Sequence, residues 1–200
     1  MLLQKMKLEN FQGIKSLEID FQGRNAYIYG MNATSKTTIY NAYTWLLFDK
    51  SSTGAKNFTP KTYTADGEAH YLMHSAEAVF SESKFSELTL KKVFREVYTR
   101  KRGTQEDEFT GHTTDYYVNS VAVSQMQYNE TLKQHCGTPE QSRLITVLDY
   151  FPEILNWTDR RRLLIEICGD VSDSDVITAN KSILLTAFIK FLFSISAFLS

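Results

Sequence analysis

Apolar and polar positions alternate with a period of two over Ile14–Phe21, where Ile14, Leu17, Ile19 and Phe21 are interleaved with Lys15, Glu18 and Asp20. That alternation predicts a half-buried strand. Leu2–Phe11 predicts another before it, separated at Gly13, and Gly23-Arg24-Asn25 predicts a turn. Ala26–Tyr29 is a short apolar run ending at Gly30 and predicts a third, buried strand. Over Thr37–Phe48 the period lengthens: Ile39, Ala42, Tyr43 and Leu46 fall at i, i+3, i+4 and i+7, the stripe of an amphipathic helix. Residues 49–69 are rich in Lys, Ser, Thr, Gly and Asp and predict a long surface loop.

Strand patterns return at Ala76–Phe80, Leu88–Thr99, Asp115–Val118 and Val121–Ser124, the last two flanking Asn119-Ser120 as a two-residue hairpin turn. Helices are expected over Gln127–Cys136, Gln141–Leu148 and Asp159–Cys168, the last with Thr158 as N-cap and Gly169 as C′ residue. Ser172 would cap a short helix over Asp173–Asn180. The pattern predicts an α/β protein: a mixed sheet with a sizeable antiparallel part and a few helices.

Two hundred residues suffice for one sizeable core, and so for one domain or at most two. A net charge of −1 excludes a general attraction to nucleic acid or anionic membrane, so any DNA contact needs a local patch. Cys136 and Cys168 form no CxxC pair and have no zinc-type spacing, which fits reduced thiols and a cytoplasmic location. Met1–Asn10 has no apolar stretch of signal-peptide length. After Lys181 the composition changes abruptly. Ile183–Ser200 carries one charge, Lys190, near its middle, which disfavours a membrane span. Residues 182–200 are expected to be an aberrant or truncated end; a helix buried in a partner remains an alternative.

The segment Gly30-Met31-Asn32-Ala33-Thr34-Ser35-Lys36-Thr37 lies between a predicted strand and a predicted helix. It follows the phosphate-loop pattern GxxxxGK[ST] except at Ser35, where the second glycine belongs. In such a loop backbone N–H groups and the helix N-terminus face the phosphates. The nucleotide-binding candidates are Gly30, Asn32, Ala33, Thr34, Ser35, Lys36, Thr37 and Thr38. Lys36 would reach the β- and γ-phosphates of ATP, and Thr37 would ligate Mg²⁺. A side chain at Ser35 costs about 1 kcal/mol where the backbone must come close to phosphate in a conformation that a Cβ disfavours, or roughly five-fold in affinity.

The runs KLENFQGIKSLEIDF and NAYIYGMNATSKTTIYNAYTWLLFDKSS resemble the N-terminal lobe of SbcC/SMC/RecF-type ATPase heads, particularly phage and prophage AAA-family ATPases. Gly30, Asn32, Lys36 and Thr37 match the G-x-N-G-x-G-K-[ST] loop of that family, while Ala33 and Ser35 depart from it. LTLKKVFREVYTRKRG, EFTGHTTDYYVNSVAVS and NWTDRRRLLIEICGDVSD extend the resemblance to roughly residues 5–180.

The resemblance implies an ABC-ATPase-like P-loop NTPase fold and ATP hydrolysis coupled to DNA double-strand-break repair or recombination. Residues 1–181 would be the N-terminal lobe, with the P-loop at 30–38, a β-rich insert at about 70–125 and a helical part at about 127–181. The family's signature motif and Walker B acids are not found. Leu144–Asp149 looks like Walker B but is followed by Tyr150; its plain reading is a buried segment ending at a turn. No glutamine stands in Leu148–Asn156, where the family's Gln loop is expected. Partners would be the missing C-terminal lobe or a second ATPase head. The alternatives are a non-hydrolysing nucleotide- or DNA-binding module and a non-functional truncated product.

Lys91, Lys92, Arg95, Arg100, Lys101 and Arg102, interleaved with Phe94 and Tyr98, form a candidate DNA-backbone patch. A strand would split these charges between two faces. Arg160-Arg161-Arg162 sits where a helix dipole disfavours cations and would pair with Asp159 and Glu166. His70 and His74 have helical metal-ligand spacing but lie in a predicted loop and strand.

Overall fold

A computed structural model describes residues 1–55, 58–64, 67–68, 70–83, 86–100, 107–169, 175 and 178. Lys101, Arg102, most of the predicted helix over 173–180 and the apolar segment 182–200 lie outside the described residues. The chain divides into two units, Met1–Ile154 and Leu155–Ser200.

The first unit is built on a six-stranded sheet in the order β2-β1-β5-β6-β7-β8. Its strands are β1 (Leu2–Phe11), β2 (Ile14–Asp20), β5 (His74–Ser83), β6 (Ser86–Arg100), β7 (Asp107–Val118) and β8 (Val121–Val123). Every neighbouring pair is antiparallel. A separate hairpin joins β3 (Tyr63–Thr64) to β4 (Gly67–Glu68). The helices are α1 (Lys36–Phe48), α2 (Gln125–Cys136) and α3 (Pro139–Thr146), with a π-helical turn at Tyr150–Ile154. The expected α/β class, with a sizeable antiparallel part and a few helices, is what forms; among the described residues every strand pair of the sheet is antiparallel.

The two-residue period decides which face is buried. Met6, Leu8, Ala76, Ala78, Phe80, Leu88 and Leu90 share one face, and Ala42, Trp45, Leu46 and Leu47 of α1 cover it with Tyr128 and Leu132 of α2. The opposite face is charged and paired across strands, as between Lys5 and Glu18 at 2.8 Å and between the register partners Lys91 and Glu77 at 3.1 Å. Asn119 and Ser120 have φ of 49° and 65°, the left-handed pair of a type I′ hairpin.

Three sequence expectations need correction. Ala26–Tyr29 forms no strand and is not buried. Residues 49–69 are not simply a surface loop, because Ser51, Ser52 and Lys61 are buried. Asn41 of α1 accepts hydrogen bonds from Ser52 N and Oγ, and Gln12 N donates to Pro60 O at 3.0 Å, so the segment is tied to both α1 and the β1–β2 turn. In the second unit α4 spans Trp157–Cys168 and its N-cap is Asn156, not Thr158. Asn156 Oδ1 accepts from Asp159 N at 2.9 Å, whereas Thr158, two residues later, is already inside the helix.

Helices α2 and α3 start two residues earlier than the apolar period suggests because each has a full capping box. Ser124 and Gln127 cap α2, and Thr138 and Gln141 cap α3 with Pro139 in its first turn.

Candidate functional site

The loop before α1 is shaped by two left-handed residues. Ala33 has φ of 64° and Ser35 of 63°. These are the positions at which the residues depart from a glycine-rich loop, so the departures carry real backbone strain, about 1–2 kcal/mol each. Gly30 is constrained by space rather than by φ: a Cβ there would lie 2.6 Å from Thr34 Oγ1. That hydroxyl is itself fixed, donating to Met31 O at 2.7 Å.

Lys36 folds back over the loop. Its Nζ donates to Gly30 O at 2.6 Å and also to Met31 O. Ser35 is the N-cap residue of α1 but makes no side-chain cap bond, and no acid stands in the first turn. The first-turn N–H groups are therefore uncapped by side chains, and the positive end of a 13-residue helix faces outward. Met31, Asn32, Ala33, Thr34 and Thr37 are exposed, whereas Ser35, Lys36 and Thr38 are half-buried.

This arrangement fits the phosphates of a nucleotide. An ammonium parked on backbone carbonyls within the loop can exchange them for phosphate oxygens without unfolding anything, and the tight approach at Gly30 leaves the backbone open. Thr37 is the available hydroxyl for Mg²⁺. The described residues contain no group of three His, Cys, Asp or Glu that could hold a metal ion.

The run before the loop is extended but unpaired. Tyr27, Tyr29 and Met31 are 82%, 86% and 81% exposed, and the two tyrosine rings stack on each other with centroids 6.2 Å apart. Apolar content is not enough to make a buried strand; a neighbouring strand must supply the ladder, and none in the sheet does.

The described part of the basic run on β6 is divided between the core and surface ion pairs. Lys92 is fully buried. Its Nζ donates to Trp45 O at 2.9 Å and Asp49 Oδ1 at 2.7 Å, and the rings of Trp45, Tyr116 and Tyr128 surround it at 5.0–5.7 Å. Lys91, Arg95 and Arg100 are paired with Glu77, Asp115 and Asp107. Strand alternation sends Lys92 into the core, and cross-strand acids pair with Lys91, Arg95 and Arg100, while Lys101 and Arg102 lie outside the described residues.

Leu144–Asp149 is no Walker B strand. It is the end of α3 and the turn after it, with Ile145 and Leu148 83% and 87% exposed and only Val147 buried. Arg162 pairs with Asp159 at 3.2 Å, as the helical spacing predicts. His74 is buried, its Nδ1 bonded to Asn10 O. His70 Nδ1 lies 3.0 Å from Glu96 Oε1, so the two histidines do not converge on a common ligand.

Two centres were missed from sequence. One is Lys92–Asp49, for which a signal existed: Leu88, Leu90, Lys92 and Phe94 occupy one face of β6. Burial lowers the Lys92 pKa to about 8 against the opposing pull of Asp49. The other is Glu96, which accepts from Lys61 Nζ at 3.1 Å, Tyr71 N at 3.0 Å, His70 and Tyr98. Burial pushes its carboxyl up, but the hydrogen bonds from Tyr98, Tyr71, His70 and Lys61 outweigh this and hold it well below the usual carboxylate range. Tyr98 is two residues along the same strand, but Lys61, His70 and Tyr71 are 25 to 35 residues away, so no spacing rule reveals the cluster.

The chain's fold resembles that of an SMC ATPase solved in work on ATP-driven dimerization and DNA-stimulated activation. The TM-score is 0.54 at 15% identity, over 83% of this chain and 98% of that one. The recombination mediator RecF, solved with ATP, aligns at TM-score 0.48 and 17% identity, over 90% of this chain and 43% of its own length. No curated protein matches. The AAA domain profile matches residues 5–188, nearly the whole chain, and the chain belongs to the AAA domain family.

Proposed function

We propose that this chain is the ATP-binding N-terminal lobe of an SMC/SbcC/RecF-type ATPase that acts on DNA in double-strand-break repair or recombination. The observation that carries it is Lys36 Nζ held on Gly30 O and Met31 O in a loop whose left-handed turns lead straight into an uncapped helix N-terminus. In this reading Gly30, Asn32, Ala33, Thr34, Ser35, Lys36, Thr37 and Thr38 cradle the phosphates, Lys36 neutralises the β/γ oxygens and Thr37 contributes to Mg²⁺. Residues 1–181 form the lobe. The exposed run Ala26–Tyr29 supports a partner lobe or head, because it is apolar and outside the sheet, where a further strand can dock. Acids that hold Mg²⁺ and activate water come from that partner, so the chain by itself binds nucleotide and turns over negligibly.

No helix among the described residues is long and apolar enough to cross a membrane. A cytoplasmic location belongs to the same proposal. DNA is a partner of the assembled ATPase in this reading, with the contact placed elsewhere than at the ion-paired residues of β6.

Titration of Mg²⁺ and a non-hydrolysable ATP analogue into the full chain, followed by calorimetry, tests the reading. Lys36→Ala should weaken binding by at least about tenfold, the worth of one charge-assisted contact. Equal affinity in the two proteins would overturn the phosphate assignment. Turnover by the chain alone that disappears in Lys36→Ala would overturn the dependence on a partner.

A further inference from the structure

A cavity of about 290 Å³ opens between the C-terminal end of α1 and the α2–α3 corner. It lies at the far end of α1 from the phosphate loop, about 18 Å away at 1.5 Å per residue. Leu47, Phe48, Leu132, Cys136 and Pro139 give it mostly apolar walls. Its volume is at the small end of the roughly 300–1,000 Å³ range of small-molecule sites.

Its charges are one-sided. Lys50, Lys133 and Arg143 line it, and none of the three has an ion-pair partner among the described residues. Asp49 also lines it, but its carboxylate is engaged by Lys92 at 2.7 Å. Arg143 is held in place by rings: its guanidinium carbon sits 4.4 Å from the Tyr150 centroid and 6.0 Å from that of Phe48. Its Nε is buried with no hydrogen-bond acceptor. A buried, unpartnered guanidinium N–H is costly unless something satisfies it.

The ends of helices beside the cavity do not reverse this sign. Trp45 O at the end of α1 is taken by Lys92 Nζ and Asp49 N, and Leu46 O by Tyr128 OH; at the end of α2, Lys133 O is taken by Gly137 N and Cys136 O by Ser142 Oγ. The N-terminal turn of α3 also reaches the cavity at Pro139, but Thr138 and Gln141 cap it and Glu140 stands in it, so the positive charge of the site is that of Lys50, Lys133 and Arg143.

We propose that this cavity is a second ligand site, distinct from the phosphate loop, for a small organic carboxylate with an aromatic or branched apolar body. The apolar walls take the body, Arg143 is the oriented donor to the carboxylate, and Lys50 and Lys133 supply supporting charge. At the packing density of a protein interior the volume suits about a dozen non-hydrogen atoms.

Amide-resolved NMR titration of the full chain with 4-phenylbutyrate, and with its neutral amide, is the test. The carboxylate should shift the amides of Leu47, Asn129, Leu132 and Cys136 and bind about tenfold more tightly than the amide. Arg143→Gln should remove that preference while leaving amide binding in place, and Asn129→Trp, which fills the mouth, should abolish both. Lys36→Ala should change neither. If Arg143→Gln fails to fold, Lys133→Gln serves instead and should reduce the preference by about threefold. Equal affinity for carboxylate and amide, shifts centred on Gly30–Thr38, or no saturation in the millimolar range would each overturn the proposal.

Discussion

Lys92 Nζ lies 2.7 Å from Asp49 Oδ1, and the two partners are unequally solvated: the lysine is fully buried while the aspartate side chain is 36% exposed. The contact joins the middle strand of the sheet to the residue that ends α1, so it fixes the helix that carries the phosphate loop. Burial lowers the Lys92 pKa to about 8 from 10.5, with Asp49 acting in the opposite direction. Between those values the unfolded chain binds more protons than the folded one, so stability from this group rises with pH; below pH 8 the full burial cost is present. Denaturant unfolding should show the wild type gaining about 2 kcal/mol on Lys92→Met between pH 8 and 9.5. Asp49→Asn, which suits the left-handed backbone at φ 55°, should cost about 2 kcal/mol at pH 7 and less at pH 9.5.

Glu96 is the opposite case, an anion collected by donors from several segments. Lys61 and Glu96 are each 3% exposed and 3.1 Å apart, and Glu96 ties Lys61, His70 and Tyr71 to β6. Removing the charge takes from the buried Lys61 ammonium the carboxylate it faces at 3.1 Å. Glu96→Gln should destabilise by about 3 kcal/mol at neutral pH. Because the folded carboxyl titrates well below its ordinary value of 4.5, the wild-type advantage is full above that pH and is lost as pH falls through the folded value. Thermal melts from pH 7 to pH 2 should show the two proteins converging at the acid end; a constant gap would contradict the assignment.

Periodicity made much of this legible. Ile14–Phe21, Leu88–Thr99 and Thr37–Phe48 carry their own period, and the structure places all three as expected. The hairpin at Asn119-Ser120 was legible because two adjacent residues tolerant of left-handed backbone left one turn type. What escaped was decided by partners distant in sequence. Ala26–Tyr29 reads as a strand only if another strand lies beside it. Lys92 reads as a surface cation until Asp49, forty-three residues earlier, is known to be adjacent. Within the phosphate loop the residue types were legible, but the left-handed backbone at Ala33 was not, since no side chain announces it.

Ala33 and Ser35 store their strain in the folded chain before any nucleotide arrives. Relieving it should therefore show in stability more than in affinity, which departs from the sequence-based expectation of a five-fold binding loss. Ser35→Gly removes about 1 kcal/mol or more of left-handed strain but loosens the unfolded chain, for a net gain of about 0.5 kcal/mol. Ala33→Gly should add a similar amount. Calorimetric titration of the double variant should give a nucleotide Kd within about threefold of wild type. A tenfold gain in affinity with unchanged stability would mean instead that the loop is rebuilt when nucleotide binds.

Tyr27 and Tyr29 touch each other and little else, at 82% and 86% exposure. A Tyr→Ser change in a core costs several kcal/mol, but here almost no apolar area leaves a buried environment. Tyr27→Ser with Tyr29→Ser should shift the free energy of unfolding by no more than about 0.5 kcal/mol. The same pair forms an apolar surface beside an unpaired backbone, a combination that favours association. Sedimentation velocity across a concentration series should show less self-association in the double variant than in the wild type. If the variant lost several kcal/mol of stability, the run would have to be packed into the fold in solution, and its place as a docking edge for a second lobe would fall with it.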